Sequence, residues 1–503
     1  MKCFHIFLSL LLTLFILFLT DIAKAAVFCV SNSSELHSAL TSATSNGEDD
    51  VIKIVQGTYN GSFIYASHEP YDVTIEGGYT AGCASRVVNP TNTVLNGGGN
   101  GPVLVLSCDE EVNFTVDGLT FENGKVANRN GGGLFARTEG SITLSNCIVR
   151  NNSSESGDGG GIYANAETVT LINNTITGNS SDWSGGGIYA YASTVTLINN
   201  IITDNLSRAF GGGGLYLPVS WGKKVILTNN TITNNSADFG GGICIYLYDD
   251  SESVDIYNNI IWNNRIETTP WWEGNGSDIY IDNDSNDNYI PSTVNLFNND
   301  FDQSAKGIYI QLPFPIDPSN LDNQDPLFID SDNGNYHLRA NSPCIDAGTN
   351  DAPELPDTDK DGNPRIINET VDIGAYEHQG IVAISAHIKA NGSDGPITLD
   401  QSDTITIIVA LDNNGRTDNA DWWLAADTPF GLFFFTFDGW IDAWVPGYQS
   451  PLFYLNSFEV LNMPVSGLPA GTYTLYFGVD TVMDGNVTWD SVYYDTVVVN
   501  ITE

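Results

Sequence analysis

The stretch from Gly157 to Ala190, GDGGGIYANAETVTLINNTITGNSSDWSGGGIYA, contains the string GGGIYA twice, beginning at Gly159 and at Gly185. Glycine triplets also start at Gly131, Gly212 and Gly240, so the spacings are 28, 26, 27 and 28 residues. A second series keeps the same beat: SNCIVRNN from Ser145, NNTITGN from Asn173, NNIITDN from Asn199, NNTITNN from Asn229 and NNIIWNN from Asn258. DGLTFEN from Asp117 is an earlier, degenerate copy. A fixed period of 20 to 50 residues signals stacked repeats, each a supersecondary unit that buries its apolar side only against its neighbours.

Within a period, ETVTLINNTIT and KKVILTNNTIT alternate apolar and polar residues and are rich in Val, Ile and Thr. Such residues favour a pleated, half-buried strand over a helix. The expected fold class is therefore all-β: a right-handed single-stranded parallel β-helix in which equivalent residues lie one strand spacing (~4.8 Å) apart. Ile176, Ile202, Ile232 and Ile261 would form an interior aliphatic stack, and Asn174, Asn200, Asn230 and Asn259 an amide ladder. The glycine triplets fit a corner that needs positive φ or close backbone approach. A phosphate-cradling reading fails, because no Gly-Lys-Ser/Thr follows and no helix begins there.

The chain has 503 residues, with 61 acidic and 18 basic side chains and a formal charge of −43. That balance argues against nucleic acid or an anionic lipid surface held by charge. Lys2 and the apolar run FLSLLLTLFILFL, ending in AKAA, read as a signal peptide over residues 1–25, too short and wrongly flanked for a membrane anchor. The expectation is export, to a secreted, cell-surface or periplasmic location, and no integral membrane segment. Of the six cysteines that follow, Cys29 and Cys83 are the preferred disulfide, while Cys147 and Cys244 lie inside repeats as buried thiols.

An open end of a β-helix needs a cover. The segment NSSELHSALTSATSNG supplies one, with Asn32 as N-cap, Glu35 three residues on, Leu36, Ala39, Leu40 and Ala43 on one face, and Asn46-Gly47 as the stop. From about Ile381 the triplets cease and short strands bounded by Gly, Asn, Asp and Pro suggest an immunoglobulin-like β-sandwich over residues 381–503, with Tyr473 suited to a tyrosine corner. Its aromatics are dense. Trp422, Trp423, Trp440 and Trp444 are candidate ligand-stacking residues, weighed against plain core packing.

Between these parts lie QDPLFID, GNYHLRANSPCIDAGTN and DTDKDGNPRIINETVDIGAYE. They resemble the choice-of-anchor Q type region of bacterial right-handed parallel β-helix proteins of the pectin-lyase-like superfamily. The shared series falls at Asp325 to Phe328, Tyr336 to Leu338, Ser342 to Gly348, Asp359 to Arg365 and Asp372 to Glu377. The resemblance covers roughly residues 27 to 380 and implies fold and export more than activity. The expected order is a cap and first coil over 26–65, repeats over 66–340, a C-terminal cap over 341–380, and then the sandwich.

Chemistry has few anchors. Asp357, Asp359 and Asp361, followed by Gly362, match the opening of a calcium loop, although the twelfth position is Asn368 with Glu369 beside it. Calcium is thus the one candidate cofactor, against a solvated turn. A polyuronate lyase needs a base and cations, and residues 131–264 offer only Arg137, Arg150, Arg208, Lys223 and Lys224, with no histidine. Asp249-Asp250 reads as a solvated turn, and Asp158, Asp182, Asp204 and Asp238 cannot be paired by spacing alone. No catalytic residue is assigned. The leading expectation is a non-catalytic protein that engages extracellular polysaccharide or a surface protein; the alternatives are a polysaccharide lyase or glycoside hydrolase, and a structural envelope spacer.

Overall fold

The structure is a computed structural model that describes residues 25–219, 224–247, 253–267, 276–283, 293–311, 315–380, 384–413, 416, 418–489 and 491–503. The signal-peptide segment, Lys223 and Asp249-Asp250 lie outside the described residues. The chain divides into two compact units, Met1–Gln379 and Gly380–Glu503.

In the first unit each turn of chain lays its strands on those of the turn before, all parallel. Ile162–Ile172 pairs with Ile188–Ile198 in unbroken register, Ile162 on Ile188 and Leu171 on Leu197. The stack continues to Leu215–Val219, Ile243–Leu247, Ile279–Asn283 and Ile308–Ile310. A second parallel sheet of ten strands carries Ile176, Ile202, Ile232 and Ile261 one above another, each fully buried. A third holds six short strands. This is a right-handed parallel β-helix, and its interior is one hydrophobic core running from Val30 to Phe301.

The triple glycines have three separate reasons. Gly185 has φ +67°, a left-handed corner. A Cβ on Gly186 would lie 2.4 Å from the carbonyl carbon of Leu206, and one on Gly187 would meet the Gly214 carbonyl at 2.7 Å and the Asn205 amide at 3.0 Å. The coils that carry the triplet thus close on their neighbours where there is no side chain.

The asparagine ladder is present and longer than the repeats suggested. Asn200 Nδ2 donates to Asn230 Oδ1 at 3.0 Å, and the series runs through Asn174, Asn200, Asn230, Asn259, Asn299 and Asn320. A parallel ladder of Asn152, Asn179, Asn205, Asn235 and Asn264 fills the next corner. It ends on Asp278, whose Oδ1 accepts from the Asn264 backbone and side-chain amides while its Oδ2 accepts from the Asp302 N–H. Asp278 occupies the place of the third glycine in its coil, and its carboxylate closes the row of donors.

The N-terminal end is covered by the helix Ser33–Ala43, which buries Leu36, Ala39, Leu40 and Ala43. Asn32 Oδ1 accepts from the Glu35 N–H, and Glu35 reaches back to the Ser31 N–H at 2.7 Å. A disulfide joins Cys29 to Cys83, while Cys108, Cys147, Cys244 and Cys344 are buried free thiols.

The stack and the tail divide the chain differently from the expected boundaries. Parallel pairing begins at Ala26–Val30 and ends at Leu321–Asp322. The remainder to Gln379 lies against the side of the coils instead of closing their end. In five coils a second asparagine stands just before the ladder residue, at φ 54 to 59° in Asn173, Asn199, Asn229, Asn258 and Asn298, and Asn146 holds the same place before Cys147 at φ 51°. Several of these face the tail. Asn199 Nδ2 donates to the Thr358 carbonyl, Asn229 Nδ2 to those of Asp372 and Gly374, Asn258 Nδ2 to that of Thr349 and Asn298 Nδ2 to that of Ala347. Outward Ile201 and Ile260 pack with Phe328, Tyr336, Leu338, Cys344, Ile373 and Ala375 in a second core.

Burial at this seam has a consequence for pH. Asp300 is fully buried, accepts from the Gln324 N–H and lies beside the Cys344 thiol; burial pushes its carboxyl up to about 7. Burial likewise lifts Asp278 to about 7. A carboxyl raised in this way holds a proton in the folded chain that the unfolded chain has released, so its contribution to stability is lost as pH rises from about 4 towards 7. Asp300→Asn should therefore flatten the fall in thermal midpoint between pH 4.5 and pH 8. Parallel wild-type and variant curves would refute the assignment.

In the second unit, Ser385–Ala390, Thr404–Asp412 and Leu455–Pro464 form a three-stranded antiparallel sheet. The facing sheet has seven strands, with Ile397–Leu399, Val492–Ile501, Gly471–Asp480, Asn419–Thr428, Gly431–Thr436 and Gly439–Ile441 in spatial order, and Tyr448–Pro451 also pairing with Asn419–Thr428. The two bury a common core including Ile388, Ile407, Val409, Trp422, Leu424, Phe477 and Val499. Tyr473 Oη donates to the Pro469 carbonyl at 3.0 Å, tying the start of its strand to the chain four residues before it.

Candidate functional site

Alternation along Asn419–Thr428 sends Trp422 and Trp423 to opposite faces. Trp422 enters the core, stacks on Phe453 at 4.6 Å and donates its indole N–H to the Ser450 carbonyl. Trp440 packs edge-on to Phe435 and lines a recess between the two sheets. Neither is placed to stack a ligand on the outer face. Trp422 is buried and Trp440 half-buried against the same core.

Trp423 faces outward from the seven-stranded sheet, where it packs edge-on to Phe434, and Phe434 in turn meets Trp444 at 4.6 Å. These residues line a cleft of about 370 Å³ together with Asp427, Tyr476, Trp489 and Tyr494. Its floor is shallow where Ala425 and Gly478 present almost no side chain. Trp444, Trp489 and Tyr494 are 55, 69 and 57 % exposed, whereas Trp423 is 7 % exposed and its indole N–H has no hydrogen-bond partner. A buried polar hydrogen without a partner is uncommon and marks either strain or a missing ligand atom. Among the described residues Asp427 is the one charged side chain in the lining.

Trp489 and Tyr494 were not singled out in the sequence. Tyr494 lies in the strand YYDTVVVN and Trp489 in a turn, and nothing local distinguishes either from a core aromatic. Register brings Tyr494 beside Trp423, because Gly478 pairs with Trp423 on one side and with Tyr494 on the other, and the turn before that strand carries Trp489 to the same cleft.

The three candidate calcium ligands do not converge. Asp359 is buried, and its oxygens accept from the backbone N–H groups of Asp361, Asn363 and Glu377. Asp361 points to His337 at 2.7 Å, and Asp357 is exposed. Between them Lys360 reaches the Asn173 carbonyl, and Arg365 is buried close by. Among the described residues no group of three or more His, Cys, Asp or Glu side chains could hold a metal ion. DTDKDGN is a turn whose central carboxylate is satisfied by backbone amides, because that turn docks on the coils.

On the β-helix the described cations suited to a lyase are all paired: Arg137 with Asp109, Arg150 with Glu122, Arg208 with Asp182 and Lys224 with Asp255. Asp158 accepts from the Ser184 N–H, Asp182 from the Ser156 N–H, and Glu167 from the Ser193 hydroxyl, so these acids link adjacent coils. Asp204 accepts from the Thr203 hydroxyl, and Asp238 has one oxygen without a partner. A polar cleft of about 360 Å³ gathers Trp262, Asp278, Asp302 and Asp325 near the last coils. Its most buried carboxylate, Asp278, is held by the three amides that end the ladder. No helix among the described residues is long and apolar enough to cross a membrane.

A search of curated proteins finds no match to the chain. The family model described as right handed beta helix region does match, over residues 89–261 and again over 181–312, which are the coils in which the glycine corners and both asparagine ladders are stacked.

Proposed function

We propose that the protein is an exported, non-catalytic glycan-binding protein in which the β-helix is the scaffold and the aromatic cleft of the C-terminal unit is the binding site. The observation that carries this reading is the cleft itself: three exposed aromatic side chains around a single carboxylate and a buried indole N–H that lacks an acceptor. Sugars offer apolar C–H faces to aromatic rings and hydroxyls to a carboxylate, and small-ligand sites combine apolar walls with few polar groups. Export follows from the leader-like sequence of residues 1–25. The strand order of the C-terminal unit, with Ile397–Leu399 parallel to the last strand and a three-stranded sheet opposite, supports an immunoglobulin-like sandwich. The motif series from Asp325 to Glu377 supports membership of the choice-of-anchor Q type.

Trp444→Ala should abolish retention on a glycan array while lowering folding stability by about 1–2 kcal/mol, the loss of its contact with Phe434 from a half-exposed position. Retention equal to that of the wild type would refute the site. A second reading, a glycoside hydrolase, is favoured by the polar cleft at Trp262 and Asp302. It requires new reducing ends from a polysaccharide panel and their loss in Asp302→Asn.

A further inference from the structure

The cleft also restricts which sugars it can take. This step rests on the glycan-binding reading above and adds the substrate class. We propose that the cleft binds a neutral, β-linked pyranose chain of gluco or xylo configuration, along its length and not at an end.

Three features point the same way. The exposed walls are flat aromatic faces, Trp444, Trp489 and Tyr494. A pyranose whose hydroxyls are all equatorial turns only axial C–H groups to its two faces, so it stacks on an aromatic ring without leaving a polar group unsolvated. An axial hydroxyl would break that flat contact.

The polar groups are few. Asp427 accepts hydrogen bonds, the Trp423 indole donates one, and the Tyr476 and Tyr494 hydroxyls can do either; among the described residues no lysine, arginine or histidine lines the cleft. A neutral sugar supplies what both need, hydroxyl hydrogens for Asp427 and a ring or hydroxyl oxygen for Trp423. A uronate or sialate would bring its carboxylate towards Asp427 with no cation to offset the repulsion, and like charges across an interface are strongly disfavoured.

The shape is an open groove, with a volume of about 370 Å³ near the small end of the range for ligand clefts, roughly 300–1,000 Å³. It accommodates a short stretch of a chain whose remainder extends into solvent. Trp423 forms the base, and Trp444 meets Phe434 beside it.

The test is calorimetric titration of the full chain with cellohexaose, xylohexaose, a mixed-configuration mannan oligosaccharide and oligogalacturonate, each also against Trp423→Phe, Trp489→Ala and Asp427→Asn. The expected result is binding of the two all-equatorial neutral chains, weakened about tenfold by Trp489→Ala, as for the truncation of an aromatic anchor. Trp423→Phe keeps an aromatic face and removes the donor, and it should weaken binding about fivefold while the chain still melts in a cooperative transition. Asp427→Asn should narrow the difference between neutral and acidic ligands. Tighter binding of oligogalacturonate, or equal binding of mannan, overturns the substrate class and leaves the glycan site standing. No binding of any of the four, with the protein folded, overturns the glycan-binding reading itself.

Discussion

Arg365→Met is expected to lower the stability of the first unit by about 3–5 kcal/mol, the usual cost of breaking a buried charge pair from one side. Arg365 is almost fully buried. Its guanidinium donates to the Gly374 carbonyl at 3.1 Å, to the Ala375 carbonyl at 2.7 Å and to Asn199 Oδ1, and lies 3.7 Å from the Glu377 carboxylate. Glu377 also accepts from the N–H groups of Ile367 and Asp372, and Asp372 from those of Asp346 and His378. Removing the cation leaves two buried carboxyl groups close together with only backbone N–H groups to offset them. Because Arg365 joins the tail to the coil at Asn199, hydrogen exchange should accelerate first in residues 342–379 and at Asn229 and Asn258. Arg365→Lys should recover little, since an ammonium cannot span three acceptors in one plane. Unchanged exchange in the tail would show that the arginine is not what holds it.

Asn230→Ala should cost about as much, but at a different place. Asn230 Oδ1 accepts from the backbone and side-chain amides of Asn200, and its Nδ2 donates to the Leu197 carbonyl and to Asn259 Oδ1. Alanine leaves the Asn200 donors and the Leu197 acceptor buried without partners, and each orphan costs roughly 1–3 kcal/mol. The expected loss is about 3–5 kcal/mol in urea denaturation. Asn174 begins the ladder, where its Oδ1 accepts only the backbone N–H of Cys147, so Asn174→Ala orphans one donor fewer and should cost clearly less. In a stacked-repeat protein a central rung couples both neighbours and a terminal rung only one. Equal losses at the two positions would mean that the ladder is a set of independent bonds.

Much of the fold was legible because its cause repeats. Gly185, Gly186 and Gly187 recur with Asn179, Ile176 and Asn174 at one period, and a period can be read without knowing which residues touch. The helix at Ser33–Ala43 was legible for a local reason, a capping side chain followed by an apolar face. The second ladder, from Asn152 to Asp278, and the outward asparagines that hold the tail were equally periodic. They went unread because an asparagine at a left-handed corner and one in a ladder look alike in sequence. The doubled isoleucines at Ile201 and Ile260, where sister coils have Thr-Ile, were the one local sign that something covers that side.

The site behaved differently. The alternating carboxylates of DTDKDGN suggested a cation, yet their partners are backbone amides and a histidine brought from elsewhere in the tail. Four tryptophans were candidates, and strand alternation alone assigned Trp422 to the core and Trp423 to the cleft. By itself the sequence determined the coil, because coil closure depends on residue types at fixed spacing. Only the tertiary structure decided what the tail does and which aromatics face solvent. Those outcomes depend on register between strands far apart in the chain, and a one-residue change of register would turn every side chain to the other face.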